Sequence, residues 1–268
     1  MNVRSLALTT ELALIATRGR IIDRGGYLVV ETPGDPDYFH GNLLVLPAPP
    51  QPGEVAQWMR TFEDELGGNP AIRHITLWWD GIIGDEGAGD ELRDEGFRID
   101  THAAMVAEAV DPTPAPLPIR ALATDEVLAT ADLEWTMGDR HDETYRRFLH
   151  RRAAWHRDLA ARGLARFFGA FDGDALVASL GIVRVVDVGR YQDVQTLPAY
   201  RRRGLARALL AAAAQTAIAE GAERVLIVAE PDGPAARLYA RAGFREIERT
   251  TTACRYPPDL SRPITMRG

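Results

Sequence analysis

A mixed α/β sheet with helices on its faces is the fold class this sequence predicts, and three observations carry it. Windows with apolar residues at helical spacing alternate along the chain with short strand-like apolar runs. Asp172-Gly173-Asp174 separates two long strand-like runs and reads as a hairpin turn, which adds antiparallel pairing to a sheet otherwise fed by helices. The pair Gly-Phe ends a helix-turn-strand unit twice, at 96–97 and 243–244, as a duplicated unit would.

Taken in order, the opening MNVRSLALTTELALIATRGR carries Glu11 inside its apolar stretch and no small-residue cleavage site, so it does not read as a secretory leader and the expectation is a cytoplasmic protein. Strands are expected at 26–31 (GYLVVE) and 42–47 (NLLVLP). Val55, Trp58, Met59, Phe62 and Leu66 recur at helical spacing and predict a helix over 53–66. A strand at 73–79 (RHITLWW), a short helix and a last strand in FRIDTHAAMVAE complete this half.

The second half begins with a strand at 118–122, followed by helices at about 124–136 and 142–162, the latter stopped near Gly163. Strands at 165–172 and 175–187 flank the hairpin turn, and a strand at 190–197 follows. Then come a helix at 202–220 ending at Gly221, a strand at 223–229 (ERVLIVA), a helix at 233–242 and a final strand from Phe244.

The chain has 268 residues, enough at about 150 per domain for two small domains or one large one. Asp111-Pro-Thr-Pro-Ala-Pro-Leu-Pro118 places four prolines in eight residues, each fixing φ and restricting its predecessor, and is the best boundary. The expected division is therefore 1–112, a linker at 113–117, and 118–268. Laying Gly96-Phe97 on Gly243-Phe244 puts Asp85 on Asp232, Ala88 on Ala235 and Leu92 on Tyr239, a faint repeat between the halves.

Composition excludes several functions. No apolar run approaches the roughly 20 residues of a membrane helix. A net charge of −7 argues against a nucleic-acid partner. Cys254 is the one cysteine and the six histidines lack ligand spacing, so no metal site is expected. All 31 basic residues are arginine. Oligomeric state carries no sequence signal.

The most informative segment runs from Val194 to Leu210. A strand breaks at Pro198, Arg201, Arg202, Arg203 and Gly204 follow, and a helix opens with Leu205-Ala206. A helix N-terminus reached through a Gly-containing loop offers unpaired backbone N–H groups and a partial positive charge, and so captures an anion such as a pyrophosphate. It is not a nucleotide P-loop, because the Gly-Lys-Ser/Thr end is missing.

Here the sequence resembles the GNAT acyltransferase superfamily, whose acyl-coenzyme A loop reads Arg/Gln-x-x-Gly-x-Gly/Ala after a strand; Arg201-Arg202-Arg203-Gly204-Leu205-Ala206 matches it. The family's second signature, Asn-x-x-Ala-x-x-Leu-Tyr-x-x-x-Gly-Phe, is met by Asp232, Ala235, Leu238, Tyr239, Gly243 and Phe244, with Asp in place of Asn. The resemblance covers about 118–255. It implies a GNAT-like fold, here in two tandem copies of which the first is degenerate, and acetyl-coenzyme A (acetyl-CoA) as co-substrate.

By the same resemblance, Val194, Gln195, Thr196 and Leu197 form the pantetheine edge, the loop amides take the pyrophosphate, and Asp232 and Ala235 lie on the cofactor side. Tyr239 stands at the family's general-acid position, to protonate the departing thiolate. Asp193 and Gln195 alternate to the same side of their strand and Glu230 sits at the end of the next, so either carboxylate could take the proton directly or through water; each reads equally as a cap partner or hairpin charge, and since positioning alone supplies much of the rate a dedicated base is not required. The acceptor pocket implied by the fold draws on 134–145, where Glu134, Trp135, Tyr145, Asp139, Asp142 and Glu143 suit a cationic or polar amine, or simply a solvated loop. The first half has Leu92 where Tyr239 stands, and Pro-Ala-Pro-Pro-Gln-Pro-Gly where the arginine loop stands. The leading expectation is N-acetylation of a small amine by direct transfer; the alternatives are a protein or peptide amine and a non-catalytic acyl-CoA sensor.

Overall fold

A computed structural model describes residues 1–138 and 140–258, in two compact units: residues 1–104 with 248–258, and residues 105–247. In chain order the first half holds α1 (Leu6–Ile15), β1 (Arg20–Asp23), β2 (Leu28–Glu31), β3 (Leu43–Leu46), α2 (Val55–Leu66), β4 (Ile75–Trp79), α3 (Gly89–Asp94) and β5 (Arg98–Ala107). The second holds β6 (Ile119–Ala121), α4 (Ala129–Met137), α5 (Glu143–Ala161), β7 (Ala165–Asp172), β8 (Ala175–Val185), β9 (Val188–Thr196), α6 (Leu205–Ala219), β10 (Arg224–Ala229), α7 (Pro234–Arg241) and β11 (Arg245–Arg255).

The first unit's strands run in the order β1-β2-β3-β4-β11-β5. β3 and β4 are parallel, Leu44 opposite Leu77 through Leu46 opposite Trp79, with α2 as the crossover between them. Phe62 and Leu66 of α2 and Leu92 of α3 pack with Leu44, Leu77 and Trp79 into one apolar layer. α1 was not expected. Its N-terminus is closed from far along the chain: the Glu248 carboxylate accepts from Ser5 Oγ at 2.8 Å, Leu6 N at 3.1 Å and Ala7 N at 2.6 Å.

The second unit's strands run β6-β7-β8-β9-β10, antiparallel as far as β9 and parallel from β9 to β10, with α6 as the crossover. β5 from Met105 onward belongs to this unit and neighbours β10, whereas β11 from Glu248 onward belongs to the first unit and pairs antiparallel with β4. The motif β3-α2-β4-α3-β5 thus recurs as β9-α6-β10-α7-β11, and its last strand is divided between the two units each time. The segment expected as one helix at 124–136 is a 3₁₀ turn at Thr124–Leu128 followed by α4; the Glu126 carboxylate accepts from Ala123 N at 2.7 Å and Arg120 Nη2 at 2.7 Å, tightening that first turn. Residues 111–118 carry neither helix nor strand.

Candidate active site

Two irregularities open the edge of β9. Its pairing with β10 covers Val188 opposite Arg224 to Arg190 opposite Leu226 and goes no further, so the two parallel strands part beyond Arg190. On the other side, the β8 register shifts by one between Ser179 opposite Gln195 and Gly181 opposite Gln192. That extra residue is a β-bulge, and Asp193 there has a left-handed φ of 48°. Leu197 N donates to Val177 O at 2.9 Å, so by the two-residue alternation Gln195 and Leu197 turn their backbone groups to β8 while Val194 and Thr196 turn theirs to the open edge. Of the four residues expected to form the pantetheine edge, the backbone therefore offers Val194 and Thr196; the Thr196 carbonyl also accepts from Arg201 Nε at 3.1 Å.

Next to this edge, a 3₁₀ turn at Pro198–Tyr200 leads to Arg201, Arg202 and Arg203, all exposed, and α6 begins after Gly204. Arg202 and Gly204 have φ of 61° and 88°, which curl the chain so that successive amides face one concavity. Among the described residues, no carbonyl or side chain takes the amides of Arg202, Arg203, Gly204, Leu205 and Ala206. A Cβ on Gly204 would meet nothing within 4 Å, so the mouth of the loop is open. The Arg203 guanidinium lies over the Tyr200 ring, 4.9 Å from its centroid.

Tyr239 on α7 is 1% exposed, its ring 6.1 Å from that of Phe244. Burial pushes its phenol above the ordinary tyrosine range, so it stays protonated at neutral pH, as a proton donor must. Ahead of α7, Asp232 is exposed with φ 59°, a conformation that Asn and Asp tolerate better than most residues. Ala235 is half-buried in the first turn of α7, and Glu230 is exposed at the end of β10.

A partly buried polar cluster joins α4, α5 and β9. Arg152 of α5 donates to Glu134 of α4, and its Nε lies 3.2 Å from Asp193 Oδ2. Glu134 also accepts from Gln195 Nε2 at 2.6 Å and Tyr145 hydroxyl at 2.9 Å. His156, 2% exposed, brings Nδ1 to 3.6 Å from Asp193 Oδ2. Burial opposes the Arg152 charge, but Asp193 and Glu134 override it and raise its pKa further. Glu134 and Tyr145, expected to meet an acceptor, therefore hold each other and the arginine instead of standing bare. Trp135 lies between His141, ring centroids 4.8 Å apart, and the Arg146 guanidinium at 5.7 Å. Asp142 caps α5, and Asp139 lies outside the described residues.

Sequence reasoning missed Arg152 and His156, which sit on a helix with five arginines, where nothing in the spacing distinguishes an inward one. Among the described residues no group of three His, Cys, Asp or Glu could hold a metal, and no helix is long and apolar enough to cross a membrane.

The corresponding place in the first unit is closed. β3 and β4 stay paired to their ends, and Asp80 N donates to Leu46 O at 2.9 Å. In the loop before α2, Gly53 N donates to Glu91 Oε2 at 2.7 Å and Gln51 N to Glu54 Oε2 at 2.9 Å, while the prolines have no N–H to offer.

Uncommitted amides at the start of α6 thus lie beside a parted parallel strand pair, with the Tyr239 phenol on the next helix. Residues 125–244 match the acetyltransferase (GNAT) family model, and the chain carries the GNAT fold in two tandem copies. It is similar to a GCN5-related N-acetyltransferase from Kribbella flavida at 17% identity, with 95% of this chain and 96% of that one covered and a TM-score of 0.66. A functionally unknown conserved protein from Staphylococcus epidermidis ATCC 12228 is similar at 14% identity, with 88% and 94% covered and a TM-score of 0.71. A tandem GNAT protein from the clavulanic acid biosynthesis pathway is similar at 14%, with 92% and 93% covered and a TM-score of 0.54. These likenesses are of fold. No curated protein matches the chain.

Proposed function

We propose that the chain transfers the acetyl group of acetyl-CoA directly to the amine of a small molecule, with the reaction confined to the half that follows residues 113–117. The observation that carries this reading is the run of uncommitted amides from Arg202 to Ala206 at the N-terminus of α6. Those residues fit a pyrophosphate: five donors, a left-handed Gly204 that leaves the approach open, and a helix end with partial positive charge. Val194 and Thr196 would hold the pantetheine amides.

When bound, acetyl-CoA supplies an activated thioester carbonyl. Tyr239 holds a proton that it gives to the departing sulfur, and its raised pKa keeps that proton in place until charge develops. Asp193 and Glu230 are the two carboxylates available to take the proton the amine releases, directly or through water. The first unit, zipped at β3/β4 and with Gly53 N in the loop before α2 taken by Glu91, is read as a degenerate copy that binds no cofactor.

Calorimetry of the full chain with acetyl-CoA tests the cofactor assignment, with one equivalent per chain expected. Thiol release across a panel of primary amines and lysine peptides then tests the acceptor class. Two equivalents would remove the degenerate-copy reading, no binding would remove the function, and release with peptides alone would replace the small-molecule acceptor by a protein.

A further inference from the structure

We propose that the Glu134–Arg152 ion pair is a clamp that holds the β9 bulge in shape, making Arg152 a positioning residue for the acyl-CoA edge. This rests on the cofactor assignment above. Both sides of the bulge are tied to that one pair: Asp193 by Arg152 Nε at 3.2 Å and Gln195 by Glu134 Oε2 at 2.6 Å. Asp193 adopts φ 48° without being glycine, a conformation that Asp tolerates better than most residues but that still costs free energy and is favoured where contacts hold it. The guanidinium supplies such contacts, since its fork reaches carboxylates on α4 and β9 together.

The consequence lies in the backbone. The extra residue sits where β9 has already left β10, and it sets which residues face the open edge. Without the ion pair the strained residue is free to relax, and a slip of one residue would exchange the backbone groups of Val194 and Thr196 for those of Gln195 and Leu197. The geometry points to cofactor affinity being set from α4 and α5, two helices that carry none of the pyrophosphate amides.

The test uses glycine, which takes a left-handed φ without help. Arg152→Met with Glu134→Gln removes both charges, so neither carboxylate nor guanidinium of the pair is left alone, and acetyl-CoA affinity by calorimetry is expected to fall about tenfold. Adding Asp193→Gly is expected to restore it. Arg152→Lys keeps the charge but loses the fork; it should weaken binding less and be restored by the same glycine. Melting temperatures of each variant report folding separately. Wild-type affinity in the charge-free variant, or a loss that glycine does not restore in either background, overturns the clamp. Failure of the wild-type chain to bind acetyl-CoA overturns the cofactor assignment itself.

Discussion

Tyr191 and Tyr239 pack on the same ring, Phe244, with centroid distances of 5.8 and 6.1 Å, yet only Tyr191 uses its hydroxyl within the protein. It donates to Leu210 O at 2.7 Å, whereas among the described residues nothing bonds the Tyr239 hydroxyl. Burial raises both phenols. The first is a structural tie between β9 and α6; the second leaves its hydroxyl uncommitted.

Tyr239→Phe should therefore lower kcat by roughly 10²-fold, the usual size of general acid catalysis, and leave acetyl-CoA affinity nearly unchanged. Steady-state thiol release and calorimetry on the same preparation check it. Tyr191→Phe is the contrast: it leaves the Leu210 carbonyl without its donor and should lower the melting temperature with little effect on kcat per folded molecule. Full turnover in Tyr239→Phe removes the hydroxyl from the reaction.

Gly204→Glu should abolish measurable acetyl-CoA binding. It places a carboxylate at the mouth of the amide cradle and puts a side chain at φ 88°, where glycine is strongly favoured. Arg202→Ala should weaken binding more mildly, because the cradle is backbone. Equal affinities for the wild type and Gly204→Glu would dissociate this loop from the cofactor.

The local elements were legible where one face is apolar and the other wet. Val55, Phe62 and Leu66 of α2 are buried as their spacing predicts, and the break at Pro198 with α6 after Gly204 lies where the arginine loop predicts. α1 was illegible because it is buried on most sides, Leu8, Leu12, Leu14 and Ile15 together with Glu11, so no polar stripe marks its period. Its cap comes from Glu248, which no local pattern announces. The destinations of β5 and β11 were hidden for a related reason: a strand reads alike whichever neighbour it pairs with. Asp193 and Gln195 do reach one cluster, but the bulge that interrupts their strand and the Arg152–Glu134 pair that answers them are tertiary facts.

Asp142→Ala should destabilise the second unit by about 1 kcal/mol through loss of a helix cap. Asp142 Oδ1 accepts from Tyr145 N at 2.9 Å at the start of α5. A hydrogen bond from Arg140, reinforced by that amide, holds its carboxyl down at about 2, so it is ionised throughout the working range. Asp142→Asn keeps the acceptor and should cost much less. Urea denaturation of both variants distinguishes the cap from the exposed ion pair, whose own contribution is small.

The stability of the first unit should depend on pH through His74. His74 of the segment before β4 is 3% exposed; its Nε2 meets the Asn42 carbonyl at 2.9 Å and its ring lies 4.2 Å from that of Phe39. Burial lowers its pKa to about 4, against a partial opposing pull from the Asn42 carbonyl. In the unfolded chain the ring titrates near its ordinary 6.5, so between these values the unfolded state binds the extra proton. The stabilisation is thus complete above about pH 6.5 and is lost as pH falls toward 4, by about 2 kcal/mol between pH 7.5 and 5. His74→Gln keeps a donor for the Asn42 carbonyl but cannot titrate. Denaturant midpoints at the two pH values should therefore fall less in His74→Gln than in the wild type. His40, also lowered by burial, contributes the same sign in both proteins. Parallel falls in wild type and variant would show that the neutral His74 ring is not what ties this unit's stability to pH.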